Sequence, residues 1–356
     1  MSTLIDERQQ PYRLSGGSGD AVALTNEVIE DRVETRWFSC LIDRKLLKQL
    51  MRRSDAEGLK NFGPWLVLLI ASGYAGFLAW GTWWALPAFF LYGTLYSSSD
   101  ARWHECGHGT PFRSRWLNEV FYHLSSFMTL REAYLWRWSH SRHHTHTIIV
   151  GRDPEIQVTR PADLAKIALD FFYVFGGTGE LKKIFMHALG IVGPDVKDFM
   201  PESERSKMIW SSRVYVAVIS GTAIGSIAIG SFLPMMYVAL PRFYCGWHHQ
   251  LCGLTQHAGL AENVRDHRLN TRTIYLNSIY RFLYLNMNYH IEHHMFPMVP
   301  FHALPKLHAA IKDQLPRTYA GIIDAYREII PALFRQARDP GYFVCRELPA
   351  SAAAQA

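Results

Sequence analysis

Lysine and arginine are absent from residues 62–101, and no charged side chain of either sign occurs across residues 214–241. Cysteine is scarce in a telling way. The five residues Cys40, Cys106, Cys245, Cys252 and Cys345 are odd in number and scattered. That pattern excludes a disulfide framework and a thiolate metal site, and favours the reducing side of a membrane. There is no basic run and no aromatic–basic repeat, so no nucleic-acid partner is expected from the formal charge of +6. No Gly-x-Gly-x-x-Gly fingerprint, no His-Pro-Gly-Gly haem motif and no ferredoxin-type cysteine cluster occurs either. The first sixty residues carry ten Lys/Arg and ten Asp/Glu and no signal-like apolar core. Insertion into a bilayer is therefore expected to use internal spans.

The two uncharged blocks are those spans. A single helix over residues 65–99 would be roughly 50 Å long at about 1.5 Å per residue, too long for one crossing of a ~30 Å hydrocarbon core. A hairpin fits better, with spans near residues 65–80 and 84–99 and a turn at Gly81-Thr82. The second block predicts spans near residues 214–231 and 234–254, with Arg242 inside the last, paired there with protein or serving a substrate carboxylate or lipid headgroup. Residues 1–60 read as a polar cytosolic region: a mobile Gly-Ser tail, then a short amphipathic helix over residues 41–51. Residues 120–136 predict one surface-lying or metal-covering helix. Residues 164–189 predict an amphipathic segment interrupted at Gly176-Gly177. Residues 61–320 form the membrane domain, and 321–356 a cytosolic tail.

Histidine supplies the chemistry. Three runs stand out: His104-Glu-Cys-Gly-His108, then His140-Ser-Arg-His143-His144-Thr-His146, then His290-Ile-Glu-His293-His294. On a helix, residues three or four apart share a face, so each run can aim imidazoles into one site. Adjacent histidines point about 100° apart, so the doublets His143-His144 and His293-His294 suit two metals better than one. His257 is a ninth candidate, placed where the fourth span emerges. His146 falls outside the repeated pattern. His248-His249 lies within the predicted span. His123, His187, His267, His302 and His308 read as surface or local packing residues. Eight or nine imidazoles exceed the four ligands of a structural zinc and match two irons with positions open to dioxygen. Asp153, Glu155, Glu262 and Glu292 are candidates to orient those ligands from outside. With four spans, all three runs fall on one face, which the lysines and arginines mark as cytoplasmic.

These residues resemble the membrane fatty-acid desaturase and hydroxylase superfamily over residues 65–315. His104-Glu-Cys-Gly-His108 is similar to its first histidine box, and Trp138-Ser-His-Ser-Arg-His-His144 to its second. Asn288-Tyr-His-Ile-Glu-His-His-Met-Phe-Pro297 is similar to the third, and Gln256-His257 to an extra histidine near the fourth span. The resemblance implies an all-α integral membrane fold, with about four transmembrane helices in two hairpins and a cytosolic helical cap holding a histidine-rich dimetal site. It also implies two non-haem iron ions, O2, and an external electron donor, a ferredoxin or cytochrome b5 type with its reductase. The expected reaction places a double bond in a fatty-acyl, lipid or small aliphatic substrate. His140-Ser-Arg-His-His-Thr-His-Thr with Gly-Arg-Asp-Pro-Glu155 looks most like bacterial desaturase-like proteins of rhizobitoxine- or rhizopine-type metabolism, which points to a bacterial inner membrane. Hydroxylation by the same centre is the alternative outcome. A non-catalytic membrane metal carrier is disfavoured, because the spans hold few ionisable groups.

Overall fold

The computed structural model describes residues 37–349. The Gly-Ser stretch at 15–19 and the final Ser-Ala-Ala-Ala-Gln-Ala lie outside them. Among the described residues the chain is all helical, with only two isolated bridges, Thr273 to Tyr289 and Ile274 to Tyr319. A short helix α1 (Arg44–Leu50), capped by the Asp43 carboxylate on Leu46 N, leads to the longest apolar element, α2 (Asp55–Ala79). Ser54 caps α2, and Asp55 and Glu57 place negative charge at its N-terminal end. Among the described residues this is the one helix long and apolar enough to cross a membrane by itself, with a mean hydropathy of 1.6.

The expected hairpin forms. Gly81 turns the chain at a φ of +84°, and α3 (Ala85–Ser97) returns along α2. Small residues set the approach: the Cβ that Gly73 lacks would sit 3.2 Å from the Tyr92 ring, and that of Gly76 3.1 Å from Phe89. Trp65 closes the base of the hairpin, donating from Nε1 to Leu95 O at 2.9 Å. The outward side chains, among them Val67, Ile70, Phe77, Trp83, Trp84 and Phe90, are apolar and exposed. α4 (Ser99–His108) continues directly from α3 and ends at Gly109, in the left-handed conformation.

Three expectations need correcting. Residues 120–136 are not one helix. α5 (Arg115–Met128) stops at Leu130, whose φ is +57°, and α6 (Ala133–Thr145) restarts from Glu132, whose carboxylate accepts from Tyr134 N and Leu135 N. The break in residues 164–189 falls earlier than Gly176-Gly177. α7 (Leu164–Leu169) runs into a 3-10 turn over Asp170–Phe172, Tyr173 turns at a φ of +53°, and α8 (Val174–Ala188) contains both glycines. Their role is close packing: a Cβ on Gly177 would meet the Phe243 ring at 2.6 Å.

Residues 234–254 are not one continuous helix either. After α9 (Pro194–Phe199) and the long α10 (Glu202–Ala228), the chain is broken into α11 (Leu233–Tyr237), α12 (Pro241–Tyr244) and α13 (Trp247–His257). Pro234 and Pro241 start new helices, as proline does. Gly246 lets the backbone pass where a Cβ would stand 2.9 Å from Arg242 O. The remaining helices build the cap: α14 (His267–Asn270), α15 (Ser278–Tyr284), α16 (His290–Met295), α17 (Leu304–Ile311) and α18 (Ile322–Gln336). α18 lies in the segment expected as a tail. Its Ala325, Ile329 and Leu333 are buried against Leu254, Ala258 and Ile274.

Where the hairpin meets the cap, Asp100 gathers two guanidinium groups and an imidazole. Arg131 lies at 2.9 Å, Arg242 at 3.4 Å and His249 Nδ1 at 2.7 Å. Arg242, almost fully buried, also donates to Ser97 O and lies over the Tyr173 ring. It belongs to the frame, tied to a protein carboxylate.

Candidate metal centre

Four helices carry the nine histidines to one place. α4 brings His104 and His108, α6 brings His140, His143 and His144, the end of α13 brings His257, and α16 brings His290, His293 and His294. The adjacent pairs divide. His104, His108, His140, His144 and His293 offer ring nitrogens within 4.8 Å of one another, and His143, His257 and His294 form a second such group. His290 joins the second side, its Nε2 3.2 Å from His294 Nε2. Each doublet thus sends one ring to each group, as a 100° step between neighbours requires.

The Nδ1 atoms fix which nitrogen faces inward. His140 Nδ1 lies 3.0 Å from Glu155 Oε2, His143 Nδ1 2.8 Å from Asp153 Oδ2, and His257 Nδ1 2.8 Å from Asn270 O. Thr147 Oγ1 donates to His143 O and so accepts from His294 Nδ1 at 3.1 Å. A nitrogen beside such an acceptor carries the proton, which leaves Nε2 with its lone pair. The Nε2 atoms of the first group crowd together: His108 to His140 at 3.1 Å, His140 to His144 at 3.2 Å, and His144 to His293 at 3.1 Å. The Nε2 atoms of His104 and His257 are buried with no hydrogen-bond partner. Converging, dehydrated lone pairs repel unless a cation lies between them. The donor set fits two borderline metal ions.

Electrostatics agree. Burial first, then the neighbouring imidazoles, drive His104, His108, His144, His290, His293 and His294 well below the ordinary histidine range. Burial takes His257 down to about 3. Neutral rings are what a metal needs. At His143 burial is outweighed by the Asp153 carboxylate, which raises it. Asp153 and Glu155 lose hydration on burial, yet His143 and His140 respectively hold their carboxyls below the usual range.

Of the four carboxylates expected around the ligands, Asp153 and Glu155 take that place. Glu262 pairs with Arg160 at 3.1 Å. Glu292 accepts from His308 Nδ1 and from Thr273 Oγ1, so it braces α16 from behind. His308 is buried in that contact, with Tyr275 on its other nitrogen at 3.0 Å. Two residues escaped the sequence reading. Glu105 is fully buried, with Oε1 3.5 Å from His104 Nδ1 and 3.7 Å from His293 Nδ1; burial pushes its carboxyl up to about 8. His267 stacks on Trp37 at 4.2 Å and lies 5.0 Å from the His294 ring. The Glu in His-Glu-Cys-Gly-His was a visible signal for the first; nothing local marks the second. His146 caps the end of α6.

A cavity of about 770 Å³ opens onto the first group, lined by His104, His108, His140 and His144 and by Trp103 and Tyr122. Its place beside the histidines makes it the room available to a substrate.

The comparisons with known proteins agree with this arrangement. A fatty acid desaturase family model matches residues 81–326. A probable fatty acid desaturase of Sorghum bicolor is 24% identical over 71% of this chain and 69% of its own length. An sn-1 oleoyl-lipid 12-desaturase of Anabaena variabilis is 24% identical over 76% of this chain and 66% of its own. An sn-1 acyl-lipid omega-3 desaturase (ferredoxin) of Synechocystis is 38% identical, over 24% of each chain. The family match spans well over half of the chain, includes all nine histidines, and coincides with the histidine cluster; the chain belongs to the fatty acid desaturase family and is a desaturase-like oxidoreductase.

Proposed function

We propose that the chain is an oxygen-dependent, membrane-embedded desaturase that places a double bond in a fatty-acyl, lipid or small aliphatic substrate, using two irons. The observation that carries this reading is the split of each histidine doublet between two converging nitrogen groups. His104, His108, His140, His144 and His293 would hold one iron, and His143, His257, His290 and His294 the other. Iron held there would supply the reduction of dioxygen and the abstraction of hydrogen from an unactivated C–H bond. The overall change removes two hydrogens from adjacent carbons and, with two donor electrons and two protons, releases two waters.

The protein's own part is positional. Asp153, Glu155, Asn270 O and Thr147 keep the ring protons on Nδ1 and the lone pairs turned inward. Trp103 and Tyr122 wall the cavity, exclude water and hold a chain against the first histidine group, where alignment is worth large rate factors. The electrons come from a separate protein of ferredoxin or cytochrome b5 type; the name of the Synechocystis relative supports the former. The apolar outer faces of α2, α3 and α10 support a multi-pass placement, about four crossings over a domain near residues 61–320, with the centre on the cytoplasmic face. The test is to purify the chain, supply a ferredoxin with its reductase, oxygen and oleoyl or shorter acyl substrates, and analyse products. A new alkene that requires both oxygen and reductant is expected. Reductant-dependent oxygen consumption yielding only alcohols would overturn desaturation.

A further inference from the structure

The cavity at the first histidine group is not an apolar tunnel. Beyond the aromatic residues, its wall carries Arg115, Arg137, Lys207, Glu119 and Glu204, three cations against two anions. A second, largely apolar recess of about 630 Å³ adjoins it between α5 and α10. Phe127, Trp210, Val214 and Val218 line this recess, and Tyr134 and Lys207 line both spaces. Trp210, Val214 and Val218 recur every fourth residue on α10 and so form one stripe, which continues toward the uncharged end of that helix.

Arg137 is the group best placed to read a ligand in the inner space. It lies on α6 one turn before His140, an axial rise of about 4.5 Å, on the face shared with Ser141 and His144. Glu119 accepts from one Nη at 2.9 Å, the guanidinium lies over the Tyr122 ring at 4.3 Å, and Nε is buried without a hydrogen-bond partner. A guanidinium has five donors in a fork suited to a carboxylate. An alkyl tail pushed into this space would leave those donors without water, which is unfavourable for a charged group. The same tail in the outer recess would displace water from Trp210, Val214 and Val218, which is favourable.

We infer that the substrate is an aliphatic carboxylate that binds head first. Its carboxylate pairs with Arg137 beside His140, and its tail passes Tyr134 and the stem of Lys207 into the recess along α10. The carbons presented to the histidine group are then those within a few bonds of the carboxylate, not those of mid-chain. This last consequence rests on the proposed oxidation at that centre; the binding mode does not.

The test uses the full chain in lipid nanodiscs, titrated calorimetrically with octanoate and with octan-1-ol, empty discs serving as blank. Octanoate should bind more tightly than octan-1-ol. Arg137→Gln should weaken octanoate about tenfold or more, the size of a lost charged hydrogen bond, and leave octan-1-ol unchanged. Glu119→Gln, which frees the guanidinium of its competitor, should tighten octanoate. A residue of merely structural importance would not give opposite signs in these two variants. Equal affinity for octanoate and octan-1-ol in the wild type, or shifts of the same sign or of zero in the two variants, overturns the inference. Iron counting on the same preparation separates the claims. Octanoate binding with these signs in a chain that takes up no iron keeps the binding mode and sinks the proposed centre.

Discussion

Asp153 Oδ2 lies 2.8 Å from His143 Nδ1 and also accepts from Ile148 N at 2.7 Å. One carboxylate thereby ties a ring of the second histidine group to the turn that follows α6. Asp153→Asn keeps the size but halves the acceptor capacity and removes the charge that favours the Nδ1–H tautomer. Loss of such an outer partner typically costs 10–100-fold in metal affinity. Competition with a graded chelator should show one of the two proposed irons held more weakly by about that factor. Unchanged release of both irons would show that His143 needs no such partner.

His308 has a different function. It donates to Glu292 from behind α16, so His308→Ala would strip a buried carboxylate of its donor, a cost of about 1–3 kcal/mol. A lower thermal midpoint in detergent is expected, with partial recovery in His308→Gln. A midpoint equal to that of the wild type would mean that Thr273 alone satisfies Glu292.

Arg242 is tied to Asp100 rather than open to a ligand. Arg242→Met should lower stability by about 1–3 kcal/mol, since Arg131 still pairs with Asp100 and His249 still hydrogen-bonds to it. In a double-mutant cycle with Asp100→Asn the two losses should be non-additive by at least about 0.5 kcal/mol. Additive losses would remove the pair from the account.

Glu132 gives a pH signature. Burial raises its carboxyl to about 7, against which the hydrogen bonds it accepts act only partly. A folded-state value above the unfolded one means that the folded chain holds the proton more tightly. The stabilisation is complete below about 4.5 and lost as pH rises through about 7. Thermal midpoints should fall between pH 5 and pH 8, and Glu132→Gln should flatten that fall. An equal slope in the variant would place the titration elsewhere.

Local spacing made part of the centre legible. The i, i+3 and i, i+4 intervals on α4, α6 and α16 foretold shared faces, and the doublets foretold two groups. Asp153 and Glu155 were visible because they follow α6 closely and can fold back on it. Glu105 carried a local signal in its place between His104 and His108, but its contact with His293 joins segments 188 positions apart, and no interval in the sequence encodes that approach. His267 was read as ordinary packing for the same reason. The hairpin of α2 and α3 followed from hydropathy and a single glycine turn. Residues 234–254 misled because hydropathy counts apolar content and is blind to Pro241 and Gly246, which break the backbone within it.

Nine imidazoles are proposed to divide between two irons. Metal analysis of the purified, iron-loaded wild type, set beside His143→Ala and His144→Ala, tests it most directly. Two irons per chain are predicted in the wild type, with loss in each variant falling on one iron before the other. A fully loaded wild type holding one metal or fewer per chain, or zinc in preference to iron, would contradict it.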